Sequence, residues 1–586
     1  MADLMHKHTQ QLSRQALEKL LAVQRGELAA DLRLENLHYL DLVFGDICPG
    51  PVVICGQHIA ALGAEAESIK AHRTVDCQGA IAVPGFIDAH MHIESSTMTP
   101  FEFECTTLPL GTTSVVCDPH ELTNVIGTEA IDWFLRCSQS LHQNMFVQVS
   151  SCVPAVADLD INGASLALEQ MQMYREHPNV LGLAEVMDYP GVIGAAPAML
   201  DKLSAFSNLN LDGHCPLLTG LPLSAYISSG IRNCHETSTL TEGQEKLRKG
   251  MSVIIREGSV AKNLDALAPL ISETTVSQCL LCTDDRNPHE IIHEGHLDFM
   301  VRRLINRHGI APYLAYRAAS WSAAKHFGLQ RLGLLAPGYR ADINLVGNLD
   351  AVNIQRVVCA GQFVDELPLR QNLANKLAAS QPPLQPTLIR HPVTARELTP
   401  ELQPGQYHVI DIIENELLTA DLVCDYDGQS FNHAGINHVA VLERYGHQLP
   451  ASLGLIRGFS VREGAIAGSV GHDSHNLIVI GADPTSMAIA VNHIITLGGG
   501  YCVVRGGKVT AELELPLGGL MSLATGEQIS QDIAALKQAA AGLGVNLPEP
   551  FVQMSFIALP VIPSLKLTAK GLVDVNTFRF IPLKLS

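Results

Sequence analysis

The stretch "PGFIDAHMHIESS" (Pro84–Ser96) begins as an apolar strand and ends with His90 and His92 one residue apart. In an extended strand, residues i and i+2 lie on one face. Both imidazoles therefore point the same way, where a core strand would place Val or Ile. One His-x-His pair is too short a pattern to settle anything alone. Its meaning depends on whether the rest of a ligand set follows.

From Ile81 onward a β-branched run closing on polar residues is followed, again and again, by a helical stretch. The runs are "IAVPGFIDAHMH", "GTTSVVCDPHE", "NMFVQVSSCVP", "VLGLAEVMD", "NLNLDGHCP", "IRNCHET", "GMSVIIREG" and "CLLCTDD". Eight βα units in about 250 residues fit a closed (β/α)8 TIM barrel. The polar residues closing the runs are His90, Asp118, Ser151, Glu185, His214, His235, Glu257 and Asp284. In that fold the C-terminal strand ends meet on one face, where the active site is built.

Taken singly, each of these residues has an ordinary explanation, and "TDD" reads as a helix N-cap. Taken together, His90, His92, Glu185, His214, His235 and Asp284 fall at one phase of a repeating unit. Imidazole and carboxylate suit divalent first-row metals, and six such groups are enough for two ions.

These residues resemble the barrel ligands of the amidohydrolase superfamily: His-x-His, a bridging carboxylate, two histidines and an aspartate. The likeness is closer still to the adenine deaminase family. It is carried by "PGFIDAHMHIESSTMTP", "VCDPHELTNVIG", "LAEVMDYPGVI", "DGHCPLLTG", "HETSTLTEG" and "LCTDDRNPHEIIHEGHLD", with "GSVGHDSHNLIVIGAD" and "LGGGYCVV" further on. The resemblance implies hydrolysis of adenine to hypoxanthine and ammonia in purine salvage, with a metal-activated hydroxide attacking C6. It implies a binuclear centre of manganese or iron, zinc being the other option. It also implies a cytoplasmic enzyme, with a homo-oligomer, a dimer, as the expected assembly.

By the same resemblance, His90 and His92 hold one ion, His214 and His235 the other, and Glu185 bridges them where many relatives use a carboxylated lysine. Asp284 binds metal and accepts the proton of the attacking water. The leaving ammonia needs a proton, and Asp118, His120 and Glu121 of "CDPHE" are the candidate donors. Glu94 stands where dihydroorotase-like relatives carry an arginine, and is expected to accept purine N–H groups. His472, Asp473 and His475 of "GHDSHN" are expected to reach over the barrel mouth to substrate or an extra ion; the plain alternative is a polar turn. His289, His293 and His296 have near-helical spacing and read as helix-face residues. The competing function is a cyclic-amide hydrolase of the hydantoinase or dihydroorotase kind, disfavoured by Glu94 and by Glu185 in place of lysine.

Composition narrows the partners. Lys plus Arg number 39 against 59 Asp plus Glu, a net charge of −20 over 586 residues. Such a surface repels nucleic-acid phosphates and anionic lipid, and no run is apolar enough to span a membrane. The 14 cysteines lie scattered, as buried thiols do. Residues 1–30 read as an N-terminal helix, and 31–80 with 335–375 as a small β-domain formed by both flanks of the barrel. The barrel is expected over 81–334. Beyond the Pro-containing linker "ASQPPLQPTLIRHP" lies a C-terminal mixed α/β domain over 390–586.

Overall fold

A computed structural model describes residues 12–156, 158–413 and 416–585. The eight barrel strands are β1 (Phe86–Met91), β2 (Thr112–Cys117), β3 (Asn144–Val149), β4 (Val180–Val186), β5 (Asn210–Gly213), β6 (Asn233–Cys234), β7 (Ser252–Arg256) and β8 (Cys279–Cys282). They form two parallel arcs, β1 to β5 and β6 to β8, each in sequence order. β1, β2 and β3 are buried along their whole length, as expected of strands covered on both sides.

Two seams close the ring. Asp284 N donates to His90 O at 3.1 Å, joining the end of β8 to β1. Arg232 N donates to Leu211 O at 3.4 Å, and Asn233 Oδ1 accepts from Gly213 N at 3.0 Å, joining β5 to β6. A Cβ on Gly213 would stand 2.2 Å from Asn233 O, so this close approach requires glycine.

The run starting at Ile81 is two strands rather than one. Ile81–Pro84 pairs antiparallel with Ile343–Val346 in a six-stranded sheet drawn from both flanks of the barrel. Gly85 then passes the chain into β1; a Cβ there would lie 2.2 Å from Thr113 Oγ1. A four-stranded sheet, Ala30–Glu35 with Val52–Cys55, His58–Leu62 and Ala71–Asp76, packs alongside. The N-terminal helix is Arg14–Gln24, started by Ser13, whose Oγ accepts from Ala16 N at 3.1 Å. The earlier part of that expected helix, residues 1–11, lies outside the described residues.

The C-terminal region is built on an eight-stranded sheet. Its helix Pro484–Leu497 has Asp483 as N-cap, proline at its first position and Gly498 in the left-handed region at its end. This region does not stand apart from the barrel. One apolar cluster contains Met98, Phe103 and Leu122 from the barrel side with Leu517, Met521 and Ile529 from the other. Each such side chain contributes about 1.5–3 kcal/mol when fully buried. At the edge, Arg370 reaches Glu102 at 2.8 Å and Glu527 at 2.9 Å. No helix among the described residues is long and apolar enough to cross a membrane.

Candidate active site

The strand ends deliver their side chains to one buried cluster. His90 lies on β1 and His92 just past it, and their shared strand face aims both Nε2 atoms at Glu185, at the end of β4. The distances to Glu185 Oε1 are 3.2 Å from His90 and 3.0 Å from His92. The other oxygen, Oε2, lies 2.9 Å from His214 Nδ1 and 3.5 Å from His235 Nε2. Asp284, at the end of β8 with φ 53°, brings Oδ1 to 3.2 Å from His92 Nε2 and 3.6 Å from His90 Nε2. All six expected ligands therefore converge.

Burial alone would raise the Glu185 pKa. The charge on His235, the hydrogen bond from His214 and the nearby His235 and His90 rings outweigh it and hold the carboxylate well below its ordinary range. For Asp284 burial is again the largest effect and is overcome, chiefly by the Arg256 guanidinium. Burial opposes charge on His90, yet the hydrogen bond to Asp212 and the Glu185 carboxylate beside the ring push its pKa up to about 10.

The donor set fits divalent metal. His90 Nε2, His214 Nε2, His235 Nδ1 and Glu185 Oε1 are buried with no hydrogen-bond partner among the described residues, an expensive arrangement unless a cation uses the lone pairs. Donor atoms of Glu185, His214 and His235 come within 4.8 Å of one another, as do those of His90, His235 and Asp284. Behind them, His90 Nδ1 pairs with Asp212 Oδ2 at 3.0 Å and His92 Nδ1 with Asp118 O at 2.9 Å. Such outer bonds fix tautomer and ring orientation in metal sites.

The "CDPHE" residues divide their positions. His120 and Glu121 line the cavity in front of the cluster. Asp118 sits behind them, with Oδ2 2.9 Å from His120 Nδ1 and Oδ1 accepting from Ser150 Oγ at 2.7 Å. His472 and Asp473 reach the same cavity from the C-terminal region. Asp473 Oδ1 lies 3.5 Å from His120 Nε2, and the His472 ring stacks on Phe556 at 4.4 Å. His475 stands one layer back, its Nε2 2.5 Å from Glu121 Oε2 and its Nδ1 facing Gly471 N at 3.4 Å.

Glu94 differs from its expectation. After His92 the chain leaves the strand for a 3-10 turn, Glu94–Ser96, so the carboxylate turns away from the cavity. Its Oε1 accepts from Leu122 N at 3.1 Å under the helix His120–Ile126, and burial raises its pKa to about 7. His296 also departs from its reading. It follows the helix Pro288–Glu294 and is buried, with Nδ1 2.9 Å from Thr112 Oγ1.

Comparison with known proteins places the whole chain. Residues 81–364 match the amidohydrolase family and 416–579 the adenine deaminase C-terminal domain. An adenine deaminase of Shewanella halifaxensis is 64% identical over 100% of both chains. One of Bdellovibrio bacteriovorus is 53% identical over 99% of both, and one of Edwardsiella ictaluri 53% over 100% of this chain and 99% of that one. The chain belongs to the adenine deaminase family.

In this adenine deaminase-family chain, sequence reasoning missed a buried ion-pair network. Arg256, the last residue of β7, places Nη1 2.7 Å from Asp284 Oδ2 and Nη2 2.9 Å from Glu236 Oε2. The residue singled out on that strand, Glu257, instead accepts from Leu264 N at 3.2 Å. Ser151 likewise serves the backbone, its Oγ donating to Glu185 O at 2.6 Å. Met187 and, from the C-terminal region, Leu417, Phe556, Leu559 and Ile562 form the apolar part of the cavity wall. The four from the C-terminal region belong to no polar motif.

Proposed function

We propose that the protein converts adenine and water to hypoxanthine and ammonia at a pair of divalent ions, manganese or iron. The observation that carries this is Glu185 set between two histidine pairs in a chain 64% identical, end to end, to an adenine deaminase. Divalent ions held there supply Lewis acidity and make a water acidic near neutral pH. His90, His92 and Asp284 would hold one ion, His214 and His235 the other, with Glu185 between.

Asp284, kept ionised by Arg256, is the group to accept a proton from water. His120, oriented through Nδ1 by Asp118, faces the cavity beside Glu121 and would return a proton to the departing ammonia. His472, Asp473 and Glu236 supply polar edges for the purine; Phe556, Leu559 and Met187 supply apolar faces. A ribose at N9 would add hydroxyls that this enclosure must desolvate without partners. The free base is therefore the substrate. A cytoplasmic, dimeric enzyme of purine salvage is the setting that accords with this chemistry.

An ammonia-release assay on metal-loaded protein, with adenine, adenosine, cytosine and dihydroorotate, tests the reading. Adenine should exceed adenosine in kcat/KM by at least about a hundredfold, roughly 3 kcal/mol in the transition state. Equal values for the two would refute a free-base site, and turnover of dihydroorotate in place of adenine would favour cyclic-amide hydrolysis.

A further inference from the structure

The cavity in front of the metal ligands measures about 30 Å3, a narrow space. Beside it lies a second cavity of about 540 Å3, within the usual range for small-molecule sites. The two share Met187 as a common wall. Met187 is two residues beyond Glu185, and Ser151, which holds the Glu185 carbonyl, lines the larger cavity. The larger cavity is mostly apolar: Val153, Tyr189, Met199, Val561 and Phe578 are among its walls. Its cation, Lys202, donates to Ser151 O at 2.9 Å.

The rest of the partition comes from the C-terminal region. Leu559 and Ile562 face the metal side, while Val561 between them faces the larger cavity. The turn that carries them is tied firmly at both ends. Phe556 O accepts from Lys566 Nζ at 3.0 Å, and Pro563 O accepts from Thr419 N at 3.0 Å. Between these anchors its own backbone bonds are long, Leu559 N to Phe556 O at 3.4 Å and Ile562 N to Leu559 O at 3.5 Å. A short span held at two points and weakly bonded between them is the easiest part of the wall to displace.

Resting on the adenine reading above, we propose that the 540 Å3 cavity is an antechamber. A purine base is held there against Tyr189 and Phe578, then passes Met187 and the turn 557–562 to reach the metal ligands. The apolar walls suit the faces of a planar base. Contact with those walls would remove part of the base's hydration before it reaches the metal ligands.

The test places a thiol in the antechamber. Cys48 is half-buried and the other native cysteines are buried, so Val561→Cys in a Cys48→Ser background offers one accessible site. In the metal-loaded enzyme a bulky maleimide adduct at that position should cut kcat/KM for adenine at least tenfold. A small, reducible methylthio adduct should cost less than twofold, and metal content should stay unchanged in both. A bulky adduct that leaves kcat/KM within twofold would overturn the antechamber. Should Val561→Cys fail to fold, Phe578→Trp at the half-exposed rim serves instead. Saturable quenching of its fluorescence by hypoxanthine is expected, and no quenching would refute the site. Failure of the unlabelled wild type to release ammonia from adenine would instead count against the proposed function, and is seen separately.

Discussion

The Arg256 guanidinium stands 2.7 Å from Asp284 Oδ2 while its second nitrogen holds Glu236 at 2.9 Å. One buried cation thereby sets the position of a metal-side carboxylate and of a carboxylate on the cavity wall. Lysine cannot make this fork. We predict that Arg256→Lys lowers kcat about 10- to 100-fold, in line with loss of an outer partner in a metal site, while most metal stays bound. Steady-state kinetics beside metal analysis decides it; an unchanged kcat would remove Arg256 from the machinery.

Asp284 is expected to take the proton of the attacking water, so Asp284→Asn should cut turnover by orders of magnitude. Much of the metal should remain, because the histidines and Glu185 are intact. Near-native turnover in the variant would show that the proton goes elsewhere.

Asp212 is buried behind His90 and touches its Nδ1 at 3.0 Å. Asp212→Ala frees the ring to rotate and should weaken metal binding about 10- to 100-fold. Competition against a chelator measures this directly. Equal metal retention by variant and wild type would contradict an orienting role.

A pH effect follows from Lys566, which is fully buried and donates to Leu417 O and Phe556 O at 2.9 and 3.0 Å. Burial lowers its pKa to about 7. An unfolded lysine keeps its proton to about pH 10.4, so between these values the unfolded chain binds the extra proton. Raising pH from 7 to 9 should therefore favour the folded state, by on the order of 2 kcal/mol from this group. Lys566→Met should flatten that rise relative to wild type in denaturation experiments at the two pH values. Parallel pH profiles for the two proteins would count against the assignment.

The barrel was legible because eight apolar runs end at one phase, and the ligands because His90, His92, Glu185, His214, His235 and Asp284 share that phase. What stayed hidden follows from local geometry. In "SVIIREG" a shift of one residue moves a side chain to the other face, and Arg256 rather than Glu257 faces the site. The signal was there: an arginine closing an apolar run, where the other runs close on histidines, acids or serine. Asp212 stands two residues before His214, the same i, i+2 relation that marked His90 and His92. Glu94 misled because strand alternation stops at His92, where the chain turns. Leu417, Phe556, Leu559 and Ile562 left no trace, since an apolar wall contributed from a distant domain has no motif of its own.

Glu185, as the group between two metal ions, is central to the proposed chemistry. Replacing it by Gln keeps its shape and removes its charge. Metal content per chain and the rate of hypoxanthine formation from adenine, measured on the same Glu185→Gln preparation beside wild type, test this most directly. Both should fall together. Two metals per chain with near-native turnover in Glu185→Gln would contradict that role.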